Sequence, residues 1–379
     1  MQFVFLGAAL VVYGFLNYYI GLRGLQSIST LMPINNVIYW IIIFALSMLF
    51  FADMLLKGHL PEKPERVLNM IGGYWLAAFV YLLSFAVIID IFRLIGGRLN
   101  IIPDTLKNNA WIAALAVIVI VAAALAFGTY SAIVPRITGY DISIGKKAGG
   151  MTELRCAMIS DVHLGEIVRK DRLKTAVERI NSLEPDIVVF TGDLFDNAVE
   201  PVVRDNMLEE LKGIRSKFGA YAIMGNHEHY SRAADEITKM IESNGVTVLR
   251  DRVVKINDSF YLAGREDRAG LQFGFTRAKL DTLLAGTDKS LPVIVLDHQP
   301  SGLDEPRKAG VDLQLSGHTH GGQFFPISLV TDRIFEEDNG YLKDGSFNLV
   351  VSGGYGTWGP PVRLGTGSEI VDLRIRFEK

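Results

Sequence analysis

Cysteine is nearly absent. Cys156 is the only one in 379 residues, which excludes a disulfide framework and any cysteine-rich zinc module. An excess of charge is missing too: 38 Lys and Arg against 41 Asp and Glu leave a net −3, with no polybasic surface of the kind that binds nucleic acid. Charged residues make up only 21% of the chain against 49% apolar, a balance that excludes disorder and argues against a purely water-soluble enzyme. There is no internal repeat and no low-complexity tract. Met1-Gln2-Phe3 carries no basic residue, so a cleaved signal peptide is not expected.

What is present is unevenly placed. Residues 1–150 hold ten basic and six acidic side chains, a balance of +4, and the remainder stands at −7. Six of the seven histidines lie beyond residue 160. Four stretches carry no charged side chain at all: 1–22, 24–52, 67–89 and 108–135. Each reaches the roughly 20 residues that a helix needs to cross a bilayer, so the spacing predicts an α-helical transmembrane bundle of four spans over 1–138. Asp53 and Asp90 stand at span edges and read as interfacial, which leaves anchoring as the role of this part. Basic residues are balanced across the two sides. Arg23 flanks the first run with nothing basic before it, which favours an outside N-terminus and an extracytoplasmic soluble part.

From about residue 151 short apolar runs alternate with amphipathic stretches. Strands are expected at 154–159, 187–191, 220–224, 293–296, 313–316, 349–352 and 369–377, and helices at 170–183, 204–216 and 231–243. The runs at 246–249, 253–256 and 260–262 read as antiparallel strands. This alternation builds a layered α/β domain over 151–379, with the polar, glycine-bearing stretch 139–150 as linker.

The chemistry-bearing residues fall where the strands end, the place at which α/β sheets hold ligands. In order they are Asp161-Val162-His163, Gly192-Asp193, Gly225-Asn226-His227-Glu228, Asp297-His298 and Gly317-His318-Thr319-His320. Strand alternation would aim residues i and i+2 at one side, so Asp161 with His163, and His318 with His320, could each share an ion. Asp193 could offer both carboxylate oxygens and bridge two ions. The donors are nitrogen and oxygen without thiolate, which favours Mn, Fe, Zn or similar ions. Two such ions can generate hydroxide at neutral pH and clamp an in-line displacement at phosphorus.

This ordered set of motifs resembles the calcineurin-like metallophosphoesterases, in particular their membrane-associated, mostly bacterial branch, over about 161–320. The resemblance implies two β-sheets flanked by helices and hydrolysis of phosphate mono- or diesters by metal-bound hydroxide. It implies that Asp161, His163, Asp193 and His320 hold one ion, and that Asp193, Asn226, His298 and His318 hold the other. His227 would then contact phosphate and serve the leaving oxygen, with Glu228 orienting it. Asp196 suits a supporting partner, Arg363 and His229 are candidates to touch substrate, and Arg265 and Arg268 read as surface charges. The apolar residues among 324–330 follow the last histidine closely, as half-buried packing or as a lip towards the bilayer. Four anchoring spans point to the lipid bilayer as partner and to a phospholipid or lipid-linked phosphate as substrate. A cyclic-nucleotide or other soluble-substrate phosphodiesterase, and a metal-binding membrane sensor without catalysis, stay open as alternatives.

Overall fold

Long uncharged runs become helices before anything else does. The computed structural model describes residues 2–56, 59–102 and 109–379, and helices cover each of the four runs: α1 (Gln2–Ile28), α2 (Asn36–Leu56), α3 (Glu62–Arg98) and α4 (Ala110–Ile133). Among the described residues two of them, α3 and α4, are long and apolar enough to cross a membrane by length and composition. The expected four spans are therefore borne out only in part: along α2 the described side chains are interrupted after Ala52, within the 21 residues of Asn36–Leu56. The side chain of Asp53 lies outside the described residues. By packing, the chain divides into one unit of Met1–Thr129 with Gly359–Val362, and a second of Tyr130–Trp358 with Arg363–Lys379.

The second unit is built on twelve strands: β1 (Arg136–Lys147), β2 (Glu153–Ile159), β3 (Ile187–Phe190), β4 (Ala220–Ala222), β5 (Val246–Val248), β6 (Arg252–Ile256), β7 (Phe260–Gly264), β8 (Val293–Leu296), β9 (Leu313–Ser316), β10 (Gly340–Asp344), β11 (Phe347–Val351) and β12 (Glu369–Glu378). They form two six-stranded sheets, ordered β1-β12-β2-β3-β4-β5 and β10-β11-β9-β8-β7-β6. Within them β2, β3, β4 and β5 run parallel, as do β7, β8, β9 and β11. Strand alternation divides the core. On β2, Leu154, Cys156 and Met158 pack with Val189, Leu262, Leu296 and Leu315 of both sheets. Ala157 and Ile159 turn the other way, into a cluster with Leu173, Ala176 and Ile180 of helix α5 (Lys170–Ser182).

Several sequence expectations change here. The stretch 139–150 is not a linker: most of it is β1, paired in parallel with β12 from Arg136 onward, so the sheet begins before the expected domain boundary at 138. Ile142 and Ile144 are buried, while Asp141, Ser143 and Gly145, which alternate with them, are exposed. An edge strand with one polar face has a linker's composition. The expected helix at 204–216 is instead a 3₁₀ segment, Met207–Gly213, preceded by a short α-helix, Glu200–Arg204. The expected helix at 231–243 is α7 (Ala234–Ser243), and a separate short helix, α6 (Asn226–Tyr230), precedes it. The stretch 246–249 does not join the antiparallel pair; β5 pairs in parallel with β4 in the other sheet.

Candidate metal centre

Each motif lies just past the C-terminal end of a strand: Asp161 and His163 after β2, Asp193 after β3, Asn226 and His227 after β4, His298 after β8, and His318 and His320 after β9. Their convergence does not come from strand alternation. Asp161, His163, Asp193, His318 and His320 all adopt positive φ, between 52° and 74°. That region is costly for side chains other than glycine and clusters at functional sites. Left-handed turns, not pleats, aim these donors inward. The glycines beside them make room. A Cβ on Gly192 would lie 2.5 Å from His298 Nδ1, and one on Gly225 2.1 Å from Asp193 Oδ1.

The donors gather in three overlapping groups within one buried site: Asp161, His163 and His320 form the first, Asp193, His298 and His318 the second, and His163, Asp193 and His227 a third that shares a member with each. All are buried except His318, which is half-buried. In the first group the Nε2 atoms of His163 and His320 face each other at 3.1 Å, and His320 Nε2 is 3.5 Å from Asp161 Oδ1. In the second, His298 Nδ1 donates to the Thr191 carbonyl at 2.8 Å, which leaves Nε2 facing the site. Nε2 lies 3.1 Å from both Asp193 Oδ2 and Asn226 Oδ1. These three atoms come so close only with positive charge among them, a proton on Nε2 or a metal ion, and an N/O cluster of this composition fits divalent ions. Burial pushes the His163 and His318 imidazoles down to about 4, which keeps each ring neutral with one nitrogen free of a proton. At His298 burial also disfavours the charged ring, but Asp193 outweighs it and raises the pKa well above the usual histidine value.

Asp193 joins the groups through one atom. Its Oδ2 is 3.1 Å from His298 Nε2 and 4.0 Å from His163 Nε2. Its Oδ1 instead accepts the backbone N–H of His227 at 2.9 Å. Oδ2, rather than both oxygens as expected from the sequence, is thus the Asp193 atom that lies between the two groups.

His227 packs against His163, ring centres 4.6 Å apart, and its Nδ1 is 3.3 Å from Asp196 Oδ1. Burial lowers its pKa, but Asp193 and Asp196 more than compensate and hold the ring protonated to higher pH than usual. Glu228 does not orient it. That fully buried carboxylate accepts the backbone N–H groups of Asp193, Phe195 and Gly225 at 3.1, 2.9 and 2.7 Å, tying the β3 exit to the β4 exit. Burial, then Asp193, pushes its carboxyl up to about 7.

Neither expected substrate contact reaches solvent. Arg363 is wholly buried. Its Nη2 donates to His320 Nδ1 at 3.0 Å, its Nη1 to the Gly353 carbonyl at 2.6 Å and its Nε to the Gly356 carbonyl at 2.9 Å. It holds His320 and clips the loop that carries Gly353 and Gly356, and the Gly356 N–H in turn donates to the Asp161 carbonyl. His229 is also wholly buried, with Nε2 2.8 Å from Glu266 Oε1. Arg265, expected at the surface, is buried against Asp297 and Glu305. Arg277 pairs with the same Asp297 at 2.6 Å, bracing the residue before His298. Nothing in the local sequence marks these arginines as internal, because their partners come from distant segments.

The profile of the family described as calcineurin-like phosphoesterase matches residues 154–322. An uncharacterised metallophosphoesterase of Aquifex aeolicus is 36% identical over 246 residues, covering 64% of this chain and 92% of that protein. One from Helicobacter pylori is 33% identical over 225 residues, 59% of this chain and 60% of the relative. A bovine protein (Bos taurus) named as a transmembrane protein with metallophosphoesterase domain is 29% identical over 336 residues, 83% of this chain and 75% of that one.

Proposed function

Because this chain belongs to the calcineurin-like metallophosphoesterase family and is a metal-dependent phosphoesterase, we propose that it uses two divalent ions to hydrolyse the phosphate ester of a phospholipid or another lipid-linked phosphate. The observation that carries the reading is the placement of Asp193 Oδ2, within 4.0 Å of a donor nitrogen from each group. Asp161, His163, Asp193 and His320 would hold one ion, and Asp193, Asn226, His298 and His318 the other. Ions bound there activate water at neutral pH and neutralise charge on phosphoryl oxygens; the donor set suits Mn, Fe or Zn.

The chain's own groups do the rest. His227, kept protonated by Asp193 and Asp196, holds a proton where the leaving oxygen needs one. The bond from its backbone N–H to Asp193 Oδ1 fixes that proton relative to the bridging carboxylate. Glu228 keeps two strand exits together so that Asp193 and Asn226 stay in register. The lipid substrate is supported by the two apolar helices and by the bovine relative, whose name joins a membrane part to this domain. The multi-pass arrangement, with the catalytic unit on the extracytoplasmic side, belongs to the same proposal.

The test uses full-length protein stripped of metal and reloaded with Mn, Fe, Zn or Ni. Each form is assayed on a chromogenic monoester, a chromogenic diester and vesicle-embedded lipid phosphates, with bound metal measured. Two equivalents, near-complete loss of activity in Asp193→Asn and preference for the embedded lipid are expected. A single equivalent, or an Asp193→Asn variant at full rate, would overturn the dinuclear reading. Equal rates on a short-chain soluble analogue would overturn the lipid one.

A further inference from the structure

The helical unit contains charge that anchoring does not require. α1 and α3 end where α2 and α4 begin, so Arg23, Tyr39, Asp90 and Arg93 come together at one end of a shared cavity of about 260 Å³. Its remaining walls are almost wholly apolar, with Ile20, Trp75, Leu82 and Val117 among them. Asp90 is satisfied from two sides: Tyr19 donates to Oδ2 at 2.7 Å, and Arg23 Nη2 lies 2.5 Å from the same oxygen. That triad uses up the only negative charge in the cavity wall. Arg93, one turn along α3 from Asp90, lines the same space half-buried, with no hydrogen bond or ion pair among the described residues.

The mouth is built rather than incidental. Tyr39 donates to the Gly21 carbonyl at 2.7 Å. A Cβ on Gly24 would stand 2.5 Å from the Tyr39 hydroxyl, so glycine at that position is what lets α2 close against α1.

At the ends of membrane-type helices, ionised side chains stand at the depth of lipid headgroups. An unpaired guanidinium calls for an anion, and its planar fork matches phosphate oxygens in pairs. The apolar walls call for hydrocarbon. We propose that this cavity binds a single acidic lipid, its phosphate head on Arg93 beside the Arg23–Asp90 pair and part of one acyl chain inside. Arg23, Asp90 and Arg93 together carry +1, which a singly charged phosphodiester head balances. The volume falls just under the roughly 300–1,000 Å³ of small-ligand sites, enough for part of one chain and too little for two. The site lies wholly within the helical unit and stands whether or not the metal centre hydrolyses lipids.

Trp75, in the cavity wall, serves as reporter in full-length protein whose other tryptophans, Trp40, Trp111 and Trp358, are replaced by Phe. The protein is placed in phosphatidylcholine nanodiscs doped with brominated phosphatidylglycerol or brominated phosphatidylcholine. Half-maximal quenching is expected at a mole fraction about tenfold lower for the acidic lipid, the difference of one good charge-assisted contact. Arg93→Gln should abolish that preference and Arg93→Lys should keep part of it. Asp90→Asn, which frees Arg23, should strengthen it, a change in the direction opposite to loss of fold. Equal quenching by both lipids, or a preference that survives Arg93→Gln, would overturn the proposal. So would displacement of the lipid by excess inorganic phosphate, which would assign the site to a free anion. Quenching does not depend on catalysis, so its outcome separates from that of the hydrolysis assay.

Discussion

Around Asp193 a single side chain performs two tasks, and the difference between its oxygens explains the neighbouring residues. Oδ2 faces both donor groups, while Oδ1 holds the backbone of His227. His227 is thereby positioned by the residue that would bridge the ions, and Asp196, not Glu228, stands beside its ring. If His227 supplies the leaving group's proton, His227→Ala should lower kcat roughly 10²–10⁴-fold on an alkyl phosphate. On a p-nitrophenyl ester, whose leaving group needs no proton, the loss should be far smaller, and steady-state rates on the two substrates check it. Arg363 makes a separate prediction. Removing a group that orients a ligating histidine typically weakens metal binding about 10–100-fold, so Arg363→Ala should release one ion at lower chelator concentration than wild type. Retention of both ions against the same chelator would show that His320 needs no such support.

Elements contribute through where they stop. Parallel strands of both sheets end at one rim, and the turns that follow are left-handed at five donor positions, so the donors' directions depend on backbone conformations that crowding would change. Gly225→Ala puts a methyl into Asp193 Oδ1; it should cost one bound ion by elemental analysis while circular dichroism stays native. A second joint lies where α6 meets the loop after β7. His229 and Arg250 both contact Glu266, at 2.8 and 2.6 Å. Burial raises the Glu266 carboxyl, but these two partners hold its pKa below the usual glutamate value. A depressed carboxylate stabilises the fold above its unfolded pKa of about 4.3, and that contribution is lost as pH falls through the lower folded value. Glu266→Gln should therefore melt earlier than wild type near pH 7, with the difference closing below about pH 4. A gap that stays constant down to acid pH would remove the ionic part of this account.

Across the whole chain, sidedness is the property most open to direct measurement. Cys156 is buried and its thiol is pushed well up by desolvation, so native protein should give no background with a maleimide. Ser143→Cys, on the exposed face of the edge strand β1, should then react with an impermeant maleimide on intact cells if the catalytic unit faces outward. Labelling only after lysis would place it inside. Much of this protein was legible in its order of residues. Runs without charge specify helices, because an unbroken apolar surface has no other stable use. Asp, His and Asn beside glycine at strand ends announce a cation site, because few other chemistries need that mixture. Alternating apolar strands specify two-faced sheets. The folded molecule decided what depends on partners far apart in the chain. It made β1 an edge strand although its polar face looked like a linker, and it set Arg363 and His229 inside, where carbonyls and a carboxylate from other segments satisfy them. It also replaced strand alternation by left-handed turns as the device that aims the donors. A side chain's type limits what it can bind; its burial and direction follow from neighbours that only folding supplies.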